Sequence, residues 1–135
     1  MDILLVTRDP LVRDQIKVGL QQFPEFTVTV GEGYAGVNLL RQREFAYLFL
    51  EVDPHEREGL QLLHHLRSFD RVTPCIVVTG ERAAKDMAGD KGRLNINSFL
   101  QVPIDVKQFF RMVGRLRERW IEAEGRRSSG SHARV

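Results

Sequence analysis

Short apolar runs alternate with amphipathic stretches along this chain. Residues 3–7 form a compact apolar run, the first predicted strand. Asp9 followed by Pro10 predicts a helix start, because a capping side chain precedes Pro at the first helical position. Leu11, Val12, Ile16, Leu20 and Phe23 supply the buried stripe of that helix, and Pro24 ends it. Phe26, Val28 and Val30 then alternate with Thr27 and Thr29, the period of a half-buried strand. A short helix is expected near residues 36–43, carrying Val37, Leu39 and Leu40. Residues 45–52 are nearly all apolar, as expected of a central parallel strand covered on both faces. Leu60, Leu63, Leu66 and Phe69 mark the next helix, and PCIVVT at 74–79 the next strand. The helical pattern at 82–93 is weaker because Gly89 and Gly92 interrupt it. Residues 98–102 make a last short strand before Pro103, and a long closing helix runs from Asp105 to about Glu124. Val106, Phe109, Phe110, Val113, Leu116 and Trp120 suit its apolar stripe. Five strands alternating with five helices predict an α/β domain with a parallel sheet and right-handed crossovers.

Composition narrows the class. At 135 residues the chain is expected to be one domain with a real core. A hydrophobic share of 42% and a charged share of 28% are ordinary for a soluble globular protein. No apolar run is long enough to cross a bilayer, and the N-terminus lacks the basic start of a signal peptide, so a cytoplasmic location is expected. The single Cys75 permits no internal disulfide and reads as a small core residue. Charge is uneven: residues 111–135 hold seven Arg against three Glu, a net +4, so with +2 overall the preceding body carries −2. Residues 125–135 are rich in Ser, Gly and Arg and are expected to form a disordered basic tail. Contact with nucleic acid is expected only through that tail or through an output domain outside this chain.

The strand ends carry the candidate chemistry. Glu51 closes the apolar run Ala46-Tyr47-Leu48-Phe49-Leu50, at the carboxyl end where open α/β sheets place their sites. A plain alternative is a strand-end acid paired with Arg8. Residues 31–36 spell G-x-G-x-x-G between a strand and a helix, the dinucleotide fingerprint, with Glu51 about where its ribose-binding acid would fall. Against that stand the short chain and the absence of a substrate domain. Asp9, Glu51 and Asp53 are a weak metal set beside the cation Arg8. His55, His64 and His65 add nothing: the latter two are adjacent on a helix, point in different directions and read as surface residues. No Ser has evident His and acid partners, so no enzyme activity is expected.

The order of strand ends at Val6-Thr7-Arg8-Asp9-Pro10, Leu50-Glu51, Val78-Thr79-Gly80 and Phe99-Leu100-Gln101-Val102-Pro103 resembles the receiver domain of bacterial response regulators, over about residues 1–120. The resemblance implies a flavodoxin-like, doubly wound five-stranded sheet in the order 2-1-3-4-5 with helices on both faces. It also implies a receiver-like domain at 1–124 with an extended C-terminal helix. Active members of the family take a phosphoryl group from a histidine kinase onto an Asp, using Mg²⁺. Here the matching acceptor position is Glu51, and the matching acidic pair is Thr7 and Arg8. Asp9 matches a following, less central acidic position, and Asp53 lies where the family offers a backbone carbonyl to the metal. The switch hydroxyl is kept as Thr79, and the aromatic switch position is Phe99. The family's Lys is replaced by Val102, with Pro103 kept, while Pro54 stands one residue earlier than the usual loop Pro.

These departures imply a pseudo-receiver: a phosphorylation-independent signalling and protein-interaction module of a two-component-type system, with no metal and no cofactor. Loss of carboxylates and gain of Arg8 disfavour Mg²⁺, which wants hard oxygens and carboxylates. Glu51 is one methylene longer than Asp and is displaced from an attack geometry that tolerates little error. Family analogy implies a protein partner or homodimer through the helix 4–strand 5–helix 5 face, with Phe110, Leu116 and Trp120 as interface candidates. Two other readings stay open: a receiver that accepts phosphate by an unusual route, and a small nucleotide-binding Rossmann-like protein.

Overall fold

The computed structural model describes the backbone of residues 1–53 and 57–133, and the side chains of residues 1–53 and 59–126. Two compact units are present, Met1–Ile104 and Asp105–Val135.

The first unit is a five-stranded parallel sheet. In chain order its elements are β1 (Asp2–Val6), α1 (Pro10–Leu20), β2 (Thr27–Gly31), α2 (Gly33–Val37), β3 (Tyr47–Glu51), α3 (Arg57–Phe69), β4 (Cys75–Gly80), α4 (Glu81–Met87) and β5 (Ile96–Val102). Single 3₁₀ turns extend α2 over Asn38–Arg41 and α4 over Ala88–Asp90. The strand order is β2-β1-β3-β4-β5 with every pairing parallel, as expected. In register, Val6 lies beside Gly31 on one side and Leu50 on the other, and Glu51 lies beside Val78. The ends of β1 and β3 therefore open at the same level.

Period-two alternation divides the buried strand residues between two faces. On one face Leu4, Val6, Leu48, Leu50, Cys75 and Val77 join Val37, Leu62, Leu63 and Leu66 in a single apolar cluster. Ile3, Leu5, Phe49 and Ile76 point the other way and are fully buried. The start of α1 forms as predicted: Asp9 is extended, and its Oδ1 accepts from the backbone N–H of Leu11 at 2.9 Å and of Val12 at 3.4 Å.

Two helix stripes differ from the sequence pattern. On α1 the buried residues are Val12, Ile16, Gly19 and Leu20, while Leu11 is 69% exposed. On α3 Leu62 is buried and Leu60 is exposed. Gly59 sets the phase of α3: a Cβ there would lie 2.9 Å from the Cα of Val52, so the helix meets the sheet along positions 59, 62, 63 and 66.

Arg67 fastens the far end of α3. It is buried, and its guanidinium donates to four carbonyls: Leu94 at 2.6 Å, Asp70 and Thr73 at 2.8 Å, and Asn95 at 3.0 Å. Burial lowers its pKa, while the nearby Cys75 and Asp70 oppose that shift. Burial in turn pushes the Cys75 thiol up to about 12, which fits the expected inert core cysteine.

The second unit is built on α5 (Val106–Ala133), with Asp105 as its cap: Asp105 Oδ1 accepts from the Gln108 N–H at 3.0 Å. The helix passes Glu124, where the sequence pattern ends it, and runs through Ala133, because no Pro interrupts the segment. Residues 134 and 135 of the expected tail lie outside the described residues. No helix among the described residues is long and apolar enough to cross a membrane.

Candidate functional site

The carboxyl ends of β1 and β3 frame an open cleft of about 30 Å³ lined by Thr7, Arg8, Gly33, Glu51, Asp53 and Gly59, among others. Because Val6 pairs with Leu50, the next residues on each strand, Thr7 and Glu51, come side by side. The buried Thr7 hydroxyl donates to Glu51 Oε1 at 2.7 Å and accepts from the Asp9 N–H at 3.2 Å. Glu51 thus pairs with Thr7, and Arg8 lines the same cleft. A short hydrogen bond to a carboxylate is the stronger, charge-assisted kind.

The remaining acids are placed differently from one another. The Asp9 carboxylate is turned away to cap α1. Asp53 lines the cleft. Pro54 and His55 lie outside the described residues. The donor set at the end of β1 is therefore one hydroxyl already committed to Glu51 and one guanidinium. Mg²⁺ prefers an oxygen-rich shell with carboxylates, and this set does not match it. Among the described residues no group of three or more His, Cys, Asp or Glu is placed to hold a metal ion.

Thr79 is buried at the end of β4, and its hydroxyl donates to the Val52 carbonyl at 2.5 Å. The Val52 N–H donates in turn to the Val78 carbonyl at 2.9 Å. The segment leaving Glu51 is thereby tied to β4 from both sides. Phe99 is half-buried against the apolar cluster. Val102 pairs with Gly80, and the Val102–Pro103 bond is cis.

The glycine-rich turn has a packing cause. A Cβ on Gly31 would fall 2.7 Å from the Gly36 Cα, and one on Gly36 would fall 2.9 Å from the Gly31 carbonyl carbon. Gly33 has φ 54°, in the left-handed region. All three glycines serve the tight passage from β2 into α2, which is only five residues long.

His65 was missed as a bridging residue by its sequence pattern. His64 is exposed as expected, but His65 is half-buried. Its Nε2 lies 2.8 Å from Asn38 Oδ1, which also accepts from Arg41 Nε at 3.3 Å, so Nε2 carries the proton. The ring meets Tyr34 and Phe69 edge-on at 5.1 and 5.4 Å, and Arg41 stacks 4.0 Å over Phe69. Tyr34 and the Asn38–Arg41 turn are thus joined to α3.

On α5 the three interface candidates do not share one face. Phe110 lies roughly a third of a turn from Leu116 and somewhat less from Trp120.

The family model of the response regulator receiver domain matches residues 3–114. The chain belongs to that family. It is similar to the response regulator protein PmrA of Pseudomonas aeruginosa, 33% identical over 110 residues, covering 80% of this chain and 48% of the relative. The chain thus spans about half the length of the curated relative it matches. Among solved structures, the signal receiver domain of an HD domain-containing protein from Pseudomonas fluorescens matches with a TM-score of 0.73 at 21% identity, covering 93% of this chain and 92% of that one. The receiver domain of NtrX from Brucella abortus matches with a TM-score of 0.72 at 19% identity, covering 87% and 98%. The flavodoxin-like sheet order is that of these receivers. The receiver domain is a signalling module of two-component systems, and its cleft at the ends of β1 and β3 is the site at which Glu51, Thr7 and Arg8 stand.

Proposed function

We propose that this receiver domain is a pseudo-receiver: it signals without phosphotransfer and acts through protein contacts rather than catalysis. The observation that carries the proposal is the Thr7–Glu51 hydrogen bond of 2.7 Å. The carboxylate at the acceptor position is longer than Asp and held by a neighbouring hydroxyl, in a cleft lined also by Arg8 and Asp53. A fixed carboxylate there keeps negative charge in the cleft without a phosphoryl group. Val102, in place of a Lys, offers no cation to phosphoryl oxygens. Thr79, with its hydroxyl engaged by the Val52 carbonyl, has no phosphoryl group to answer to. Signal output then falls to surfaces, with α4, β5 and α5 as the elements that take up a protein partner or a second copy.

The test is incubation of the full chain with acetyl phosphate and Mg²⁺, read by intact mass. An unchanged mass is expected. A stable adduct of about 80 Da, one phosphoryl group, that is lost in Glu51→Ala would overturn the proposal.

A further inference from the structure

Away from its apolar residues, α5 carries a line of arginines. An α-helix turns about 100° per residue. Arg111, Arg115, Arg119 and Arg126 therefore fall within roughly a quarter turn of one another, and all four are exposed. Each residue rises about 1.5 Å, so the line spans about 22 Å of helix. Glu122 is the one acid inside the line, which keeps a net +3. Lys107 and Glu118 stand together at one edge of it, and Arg117 and Glu124 fall on the far side of the helix.

Helix stability does not account for this line. Among the described residues, none of the four Arg side chains has an ion pair or a hydrogen bond. Glu122 stands one turn from Arg119 and from Arg126 and pairs with neither. Arg111–Arg115 and Arg115–Arg119 are like-charge pairs at i, i+4, which weaken a helix. The macrodipole favours bases only in the last turn, and α5 runs on to Ala133. A row of anions suits the line better. Its first three members stand about 6 Å apart along the axis, and each guanidinium is a planar fork that can take two phosphate oxygens at once.

We infer that this face of α5 contacts the phosphate backbone of a nucleic-acid duplex without reading its sequence. Phosphate contacts position a protein and carry no sequence information. No aromatic residue lies in the line, so it offers no platform for the unstacked bases of a single strand. An anionic membrane fits worse. A helix bound to a bilayer buries its apolar face, and the exposed Val106, Phe110 and Ile121 lie about 150° round from Arg115. Burying them would turn the Arg line away from the lipid. The four Arg offer at most four phosphate contacts, so binding is weak, about 10⁻⁴–10⁻⁶ M, and falls steeply with salt. The inference does not depend on phosphotransfer. A phosphoryl adduct that sank the proposal above would leave this one standing.

The test is fluorescence anisotropy of labelled DNA and RNA duplexes of mixed sequence, titrated with the full chain at several salt concentrations. At least one duplex binds, and the logarithm of its association constant falls against the logarithm of salt with a slope of about −3 to −4. Arg111→Gln, Arg115→Gln and Arg119→Gln each bring that slope about one unit nearer zero. The triple variant binds about tenfold more weakly or worse. Arg117→Gln, on the far side of the helix, leaves the slope unchanged. Glu122→Gln removes the acid inside the line and tightens binding, a gain that no loss of folding imitates. A chain that binds neither duplex in low salt, a triple variant that binds like the parent, or a Glu122→Gln chain that binds no tighter would each overturn the inference. So would stronger binding to phosphatidylserine vesicles than to either duplex.

Discussion

The Thr7 hydroxyl reaches across from the end of β1 to the end of β3 and donates to Glu51 Oε1 at 2.7 Å. The Thr7 hydroxyl oxygen also accepts from the Asp9 N–H at 3.2 Å. Thr7 thus couples the helix cap at Asp9 to the Glu51 carboxylate.

Thr7→Val keeps the shape of the side chain and removes both interactions. It leaves a carboxylate oxygen and a backbone N–H short of a partner in a partly buried site. The expected cost is about 1–3 kcal/mol, read as a lower urea midpoint at unchanged slope. Thr7→Ser retains the hydroxyl and is expected to keep most of the stability. A Thr7→Val chain as stable as the parent would show that this bond contributes nothing net.

The turn from β2 into α2 tolerates no side chain at its closest approach. Gly31→Ala sets a Cβ 2.7 Å from the Gly36 Cα, and the obstacle is backbone rather than a flexible side chain. Overpacking of this kind costs about 1–3 kcal/mol or more, and thermal melting reads it. Gly80→Ala and Gly89→Ala are the controls: a Cβ at either meets nothing within 4 Å. A Gly31→Ala chain melting with these controls would contradict the close-approach account.

Asp70 gives a pH dependence with a definite sign. Burial raises its pKa, but hydrogen bonds from the Thr73 hydroxyl and the Thr73 and Val72 amides, with the charge of Arg67, outweigh burial and hold it below the ordinary value. A carboxyl with a depressed folded pKa is easier to protonate in the unfolded chain. Its stabilisation is therefore fully present above the unfolded value of about 3.9 and is lost as pH falls through the lower folded value. Asp70→Asn should be less stable than the parent at neutral pH, and the gap should close on acidification through that window. Denaturant melts of both chains at neutral pH and below pH ~4 check this; a gap that is constant or widens in acid would contradict it.

Some of this was legible in the residues. The Asp9-Pro10 start of α1, the fully apolar β3 and the five-fold alternation of strand and helix are local patterns, whereas the sheet order was implied by the resemblance to receivers. Helix phase was less legible. Leu11 and Leu60 look like core residues in a list of apolar positions, yet both are exposed; Gly59 fixes which face of α3 meets Val52, and Leu60 falls off it. Arg67 gave no signal, since two of its four carbonyl partners, Leu94 and Asn95, lie 27 and 28 residues away. His65 gave none either, because its partners Tyr34 and Asn38 come from another element.

The sequence by itself determined the alternation of strands and helices and which side chains close the strands, since apolar periodicity, the Asp9 cap and the strand-end residues are properties of short stretches. The tertiary structure alone decided what Glu51 is bound to. Thr7 and Glu51 are 44 residues apart, and only the parallel register of β1 on β3 brings a buried hydroxyl to the carboxylate.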